Sequence, residues 1–364
     1  MTERIGLHWF LPMQPDGEFI GTLEPMEREP TLAYLEQVTL AAERAGFDGM
    51  LVATGLYNWH ENWVAATAAL ARSSRINMMI AVRPSQLHPV QFAHMAATVQ
   101  NLFPGRLEIN LVTGAARDDG WYGNFDDRDA RFVRAREFLE VVRGLWFEDA
   151  PWSYDGSFYH VEDCILLKEP QIEVPLYLSG AAPPARELAA EFADWFLMWG
   201  TQVERIQEDV EGMRERAREQ GRELRFGMRV HVIVRETEDE AWEAADRLIS
   251  RIHPSVRERQ LKELHAFANV GGRAAQQELV QGDLRIAPNL WAGVGLGRWG
   301  VATALVGDPS TVAERLREYH EAGIDMFILS GYPKLEEAER FGSLVMPLLR
   351  PTGPDSAVDC GGTR

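Results

Sequence analysis

Apolar residues fall into short continuous runs, and between them lie longer stretches with helical spacing. The two kinds alternate almost from end to end. The runs IGLHWFL (5–11), GMLVAT (49–54), INMMIAV (76–82), RLEINLVTG (106–114), PLYLSG (175–180), DWFLMWG (194–200), FGMRVHVIVRET (226–237) and IDMFILSG (324–331) predict eight strands. Runs that are apolar at both parities suit strands covered on both faces. Helices are predicted over 31–46, 61–73, 89–102, 128–147, 183–192, 202–220, 238–252 and 334–349, with a hairpin in the Pro- and Gly-punctuated 151–168. The segments AGFDGMLV (45–52) and AGIDMFIL (322–329) repeat one unit, a helix-ending Gly followed by Asp and a buried strand, and FADWFLMW (192–199) is a looser copy. Eight such units in one chain predict an α/β fold, a (β/α)8 barrel over 1–350 with insertions near 114–127, 151–168 and 253–307. An open doubly wound sheet is the rival, weakened because no G-x-G-x-x-G follows the first strand. Residues 351–364 are small and polar and are expected to be a disordered tail.

The run at 226–237 is the exception among the strands because it alternates. Met228, Val230, Val232 and Val234 share one parity, while Arg229, His231, Ile233 and Arg235 share the other. Arg229 and His231 therefore project side by side. That face either meets water, pairs inside the barrel, or lines a site that receives an anion.

Composition narrows the choice. The chain has 364 residues and a net charge of −18, which argues against non-specific binding to nucleic acid or an anionic membrane, so an anionic ligand needs a local basic pocket. The two cysteines, Cys164 and Cys360, exclude a disulfide framework, and no run reaches the ~18–20 apolar residues of a membrane span; a cytoplasmic protein is expected. The nine His carry no H-x-x-x-H or H-E-x-x-H spacing, so no metal site is expected, and the absence of G-x-S-x-G argues against a Ser nucleophile. Barrel sites form at the carboxyl ends of strands. Five of those ends carry Gly: Thr54-Gly55, Thr113-Gly114, Ser179-Gly180, Trp199-Gly200 and Ser330-Gly331, more than turns alone require. By residue type alone, Arg298 reads as a surface charge, Tyr332 as a barrel cap, and Trp199, Trp291 and Trp299 as packing.

Longer motifs change those readings. GMRVHVIVRETEDEAWEAADRLI (227–249), IAPNLWAGVGLGRWGVATALVGDP (286–309) and GIDMFILSGYPKLEEAERFGSLVMPLL (323–349) resemble the alkanesulfonate monooxygenases, among the bacterial luciferase-like two-component oxygenases that use reduced FMN. WFLPMQPDGEFIGT (9–22), AVRPSQLHPVQFAHMAATVQNL (81–102), RLEINLVTGA (106–115) and PLYLSGAAPPARELAAEFADWFLMWG (175–200) are similar too, so the likeness runs from Ile5 to Leu349. The resemblance implies an oligomeric barrel, a dimer or tetramer, supplied with reduced FMN by a separate NAD(P)H-dependent flavin reductase. With O2 as co-substrate it cleaves a carbon–sulfur bond to give sulfite and an aldehyde. It implies Trp199, Arg229, His231, Arg298 and Tyr332 for the sulfonate and reacting oxygens. For the flavin it implies Ala53, Asn110, Thr113, Arg131, Ser179, Gly180 and Ala181, with backbone N–H groups of 180–183 taking the phosphate. Arg229 and His231 are then expected to face inward.

The departures are specific. Ala181-Ala182 stands where family members carry Ser-Ser. Thr54-Gly55-Leu56-Tyr57-Asn58-Trp59-His60 replaces a shorter loop with Cys. Arg298-Trp299-Gly300 replaces R-G-G, and Phe132 replaces a Tyr. The anion clamp is kept while the walls differ, which implies a sulfonate other than a simple linear alkanesulfonate. Three further readings stay open: oxidation of another anion (sulfinate, carboxylate or phosphonate) without desulfonation, a deazaflavin-dependent relative, and a catalytically silent binding barrel.

Overall fold

The computed structural model of the protein describes residues 4–113, 119–266, 279–280 and 282–350. The first half runs β1 (Gly6–Phe10), α1 (Leu32–Ala45), β2 (Gly49–Val52), α2 (Asn62–Arg72), β3 (Asn77–Val82), α3 (Pro89–Leu102), β4 (Leu107–Leu111) and α4 (Arg128–Phe147). A hairpin of β5 (Trp152–Asp155) and β6 (His160–Cys164) precedes β7 (Leu176–Ser179), α5 (Pro183–Phe192), β8 (Trp195–Trp199), α6 (Val203–Glu219), β9 (Arg225–Val234) and α7 (Glu238–Ile249). The chain continues through α8 (Pro254–Ala266), β10 (Arg285–Ala287), β11 (Leu290–Trp291), β12 (Ala304–Gly307), α9 (Pro309–Glu321), β13 (Met326–Ser330), α10 (Lys334–Leu344) and α11 (Met346–Leu349).

Eight strands pair in parallel in the order β1-β2-β3-β4-β7-β8-β9-β13 and return to β1, so the predicted barrel closes. Closure leaves the barrel itself without a free edge. The alternation of side chains decides what goes where. Leu7, Trp9, Met50, Met78, Ile80, Leu178, Phe196, Val230, Val232 and Phe327 pack outward against the helices. Phe10, Leu51, Met79, Tyr177, Leu197, Met326 and Ile328 form a second cluster inside. Local signals hold the helices in place: Thr31 caps α1 at its start, Gly46 ends it at φ 91°, and Thr237 with Glu240 forms a capping box on α7.

Two predicted boundaries are corrected. The stretch 253–307, read as one insertion, contains α8 and ends in β12. That strand pairs in parallel with His231–Val234 of β9 and antiparallel with β11. The helix over 334–349 divides at Val345, because Pro347 cannot continue the backbone ladder. The hairpin over 151–168 is present, but Gly114 and the rest of 114–118, residues 267–278 and 281, and the tail 351–364 lie outside the described residues. No described helix is long and apolar enough to cross a membrane.

At the amino end of the barrel the interior is closed by polar groups that pair with one another. His8 Nε2 lies 2.8 Å from Glu108 Oε2, and Asn77 donates to Glu108 Oε1 at 3.0 Å. Gly49 is required beside them, since a Cβ there would fall 2.4 Å from the His8 ring.

Candidate active site

The carboxyl end is different. β9 is unusually long, and its neighbours change along it. β8 pairs with Arg225–Arg229, β13 with Gly227–His231, and β12 takes over from β8 at His231. Val230 and Val232 point into the outer core, so the opposite parity points inward. Arg229 and His231 are 8% and 2% exposed, which rules out the solvated face. Among the described residues no internal salt bridge forms either. Arg229 donates to Val230 O at 2.7 Å, Ile328 O at 3.1 Å and Ser330 Oγ at 2.6 Å, none of them a carboxylate. Ser330 Oγ is also 2.8 Å from His231 Nδ1, so one hydroxyl fixes both side chains.

Two aromatic rings carry the cations further along the cavity floor. The Arg229 and Arg298 guanidinium carbons lie 5.1 and 5.5 Å from the Phe10 ring centre. Arg298 and Lys334 lie 5.3 and 4.6 Å from that of Tyr332, and the His231 ring is 5.7 Å from it. Aromatic faces stabilise cations where water is excluded. Asp16 is the carboxylate bonded to this group. It accepts from Lys334 Nζ at 3.1 Å, from the Lys334 backbone N–H at 2.7 Å and from the Tyr34 hydroxyl at 2.5 Å. The Tyr332 hydroxyl oxygen is buried without a hydrogen-bond partner.

Burial weakens the proton on each of these bases, and repulsion adds to it at Arg229, Lys334 and His231. Burial and then Arg298 lower Arg229 well below its usual value. Burial brings Arg298 down to about 10, against the attraction of Asp16. Burial also brings Lys334 down to about 8; Arg298 and Arg229 add to this and Asp16 opposes it. Burial, followed by Arg229, Arg298 and Lys334, lowers His231 well below 6.5, so it is neutral at pH 7.

These groups line a cavity of about 660 Å3 at the carboxyl end of the barrel. Its roof comes from outside the barrel strands: Met13, Leu23 and Met26 before α1, Val256, Arg259 and Gln260 of α8, and Gly297–Val301. Its lining includes Arg83, Arg229, Arg259, Arg298 and Lys334 but no carboxylate among the described residues, although the chain carries a net −18. The arrangement is suited to an anion held away from water.

Of the predicted site residues, Arg229, His231, Arg298, Tyr332, Trp199 and Ala53 meet on this cavity. The remainder lie beside it or away from it. Asn110 projects into the barrel, and its Oδ1 is buried without a partner. Thr113 follows β4. Arg131 donates to Asp126 O at 3.1 Å in the first turns of α4. Ser179, Gly180 and Ala181 join β7 to α5. The expected N–H cluster at 180–183 is reduced there, because Pro183 and Pro184 carry none, while Ala185 and Arg186 both donate to Ala182 O. That leaves Gly180, Ala181 and Ala182. Trp299 lines the cavity, whereas Trp291 is packed in a separate apolar cluster. Sequence reasoning missed Lys334, Asp16 and Phe10. The neighbouring SGYP motif was the available signal for Lys334.

Comparison with known proteins gives the family. Residues 7–326 match the family model for the luciferase-like monooxygenases. Similar solved structures include a riboflavin lyase with modified FMN and its substrate riboflavin (TM-score 0.81, 18% identity, 96% of this chain and 92% of that one). Others are a long-chain alkane monooxygenase (0.75, 22%, 96% and 92%) and the EDTA monooxygenase of Chelativorans sp. BNC1 (0.75, 20%, 95% and 94%). At these identities the likeness is one of fold, and the family match covers most of the sequence. The chain therefore belongs to the luciferase-like monooxygenase family.

Proposed function

We propose that the protein is a reduced-FMN-dependent monooxygenase that cleaves the C–S bond of an organosulfonate. The observation that carries this reading is the convergence of Arg229, His231, Arg298 and Tyr332 on a cavity that no described carboxylate lines. A sulfonate is ionised at any cellular pH, and a guanidinium fork offers it paired hydrogen bonds.

The residues fit the ring system of a flavin. Leu51 and Ala53 offer apolar contact at the mouth, while Asn110 Oδ1 and Gln86 Nε2 are a buried acceptor and a buried donor without partners. The phosphate end has fewer donors: no hydroxyl caps α5, and Gly180–Ala182 supply the N–H groups that remain. When bound, reduced flavin and O2 supply one oxygen atom to the substrate and one to water. The balance is a sulfonate R–CH2–SO3−, O2 and FMNH2 giving R–CHO, bisulfite, FMN and water. Arg229 and Arg298 bind the sulfonate oxygens. Tyr332 donates its O–H to a reacting oxygen, and neutral His231 accepts the proton leaving the carbon that becomes the aldehyde. Trp199 orients the substrate, and Arg298, carried on the roof segment 297–301, completes the clamp as water is excluded.

A panel of organosulfonates is assayed with NADH, a flavin reductase and FMN, with deazaflavin as the alternative cofactor. Sulfite and the matching aldehyde are expected in equal amounts with FMN, most from substrates bulkier than linear alkanesulfonates. Oxygen uptake on sulfinates, carboxylates or phosphonates, with no sulfite from any sulfonate, rejects the proposal.

A further inference from the structure

Lys334 is not explained by a single sulfonate. Three cations meet here, Arg229 and Lys334 buried and Arg298 half-buried, and among the described residues they face one buried carboxylate, Asp16, while His231 is uncharged. Among the described residues two positive charges are therefore left uncompensated, and one sulfonate answers one of them. Burying an unpaired charge is costly, so a stable protein keeps one where a ligand supplies the counter-charge. The charge is also spread out. Arg229 and Arg298 share the Phe10 ring, Arg298 and Lys334 share the Tyr332 ring, and Arg229 and Lys334 share none.

Lys334 is poorly placed for a purely structural role. It is the first residue of α10, where the helix dipole disfavours a cation. Asp16 already accepts from the Lys334 backbone N–H and from Tyr34, so it has two donors without the ammonium group. Asp16 is fully buried and does not line the cavity, whereas Lys334 does.

Resting on the sulfonate reading above, we infer that the substrate carries a second acid group, a carboxylate or another sulfonate, and that Lys334 binds it. The substrate class is thus a sulfocarboxylate or a disulfonate. Arg229 and Arg298 take the sulfonate that reacts, and Lys334 selects for the far end of the molecule.

Matched acids test this: propane-1-sulfonate against 3-sulfopropionate, and butane-1-sulfonate against 4-sulfobutyrate. Each pair differs by a terminal methyl in place of a carboxylate. Binding is read from tryptophan fluorescence, since Trp199 and Trp299 line the cavity. In at least one pair the dianion is expected to bind at least about tenfold more tightly. Lys334→Gln is expected to bring that ratio close to one. Removing the ammonium group leaves Asp16 buried without a cationic partner, so the Asp16→Asn/Lys334→Gln double variant is measured if the single variant does not fold. Equal affinities in both pairs, or a ratio unchanged in a folded variant, overturn the inference. So does a preference that disappears when the protein is saturated with FMN, which would assign Lys334 to the flavin phosphate. Sulfite assays separate the two proposals. Tight dianion binding without sulfite keeps the second acid group and rejects desulfonation. Sulfite from both members of each pair at equal affinity does the reverse.

Discussion

Arg229 holds its charge by geometry rather than by a counter-ion. Two carbonyls and the Ser330 hydroxyl fix the plane of the guanidinium, leaving its positive charge for a ligand. Arg229→Lys keeps the charge and loses the fork. In steady-state assays kcat/KM for the sulfonate should fall at least about 30-fold, roughly 2 kcal/mol, with little change in thermal midpoint. Turnover close to that of the unmodified protein would remove Arg229 from the clamp. Arg229 and His231 were legible in the sequence because parity alone makes them neighbours. Lys334 and Asp16 were not. They are 318 residues apart, and a Lys at a helix start ordinarily reads as a solvated charge.

At the level of elements, eight strands were legible because seven are compact apolar runs and the eighth, β9, alternates with period two. β12 was not: ALVG is a four-residue run inside a Gly-rich stretch, and its strand character comes from pairing with the far half of β9. The shortage of N–H donors at the start of α5 was partly legible, since Pro183 and Pro184 are visible in the sequence, but only the fold shows Ala185 and Arg186 turned onto Ala182. The β5–β6 hairpin docks on α4 through Trp152 and Gly144, where a Cβ would lie 2.1 Å from the indole. Gly to Ala inside a helix ordinarily stabilises by about 1 kcal/mol. Here Gly144→Ala should instead destabilise by about 1–3 kcal/mol in urea titrations, because the indole has to move. In a Trp152→Ala background the same change should be neutral or stabilising, and a loss of stability there would refute the packing account.

Across the whole molecule the barrel has two unlike ends. At the amino end, burial disfavours charge on both His8 and Glu108, but their pairing prevails, raising the His8 pKa above 6.5 and lowering that of Glu108 below 4.5. For a raised His the stabilisation is fully present below about pH 6.5 and is lost as pH rises through the folded value. For a lowered Glu it is present above about pH 4.5 and is lost as pH falls through the folded value. Unfolding free energy should therefore contain a contribution from this pair that is largest between those limits and declines on the alkaline side. His8→Gln should flatten that alkaline decline in denaturant titrations at pH 6 and pH 8.5, and an unchanged slope would assign it to other groups.

The strand that carries Arg229 and His231 is hydrogen-bonded to β8, β13 and β12 in succession, whereas the cavity's roof is borrowed from the segment before α1, from α8 and from residues 297–301. The two halves of the chamber can therefore diverge independently. Swapping the covering segments would reshape the space above the base, while the strand that carries the cations stays as it is.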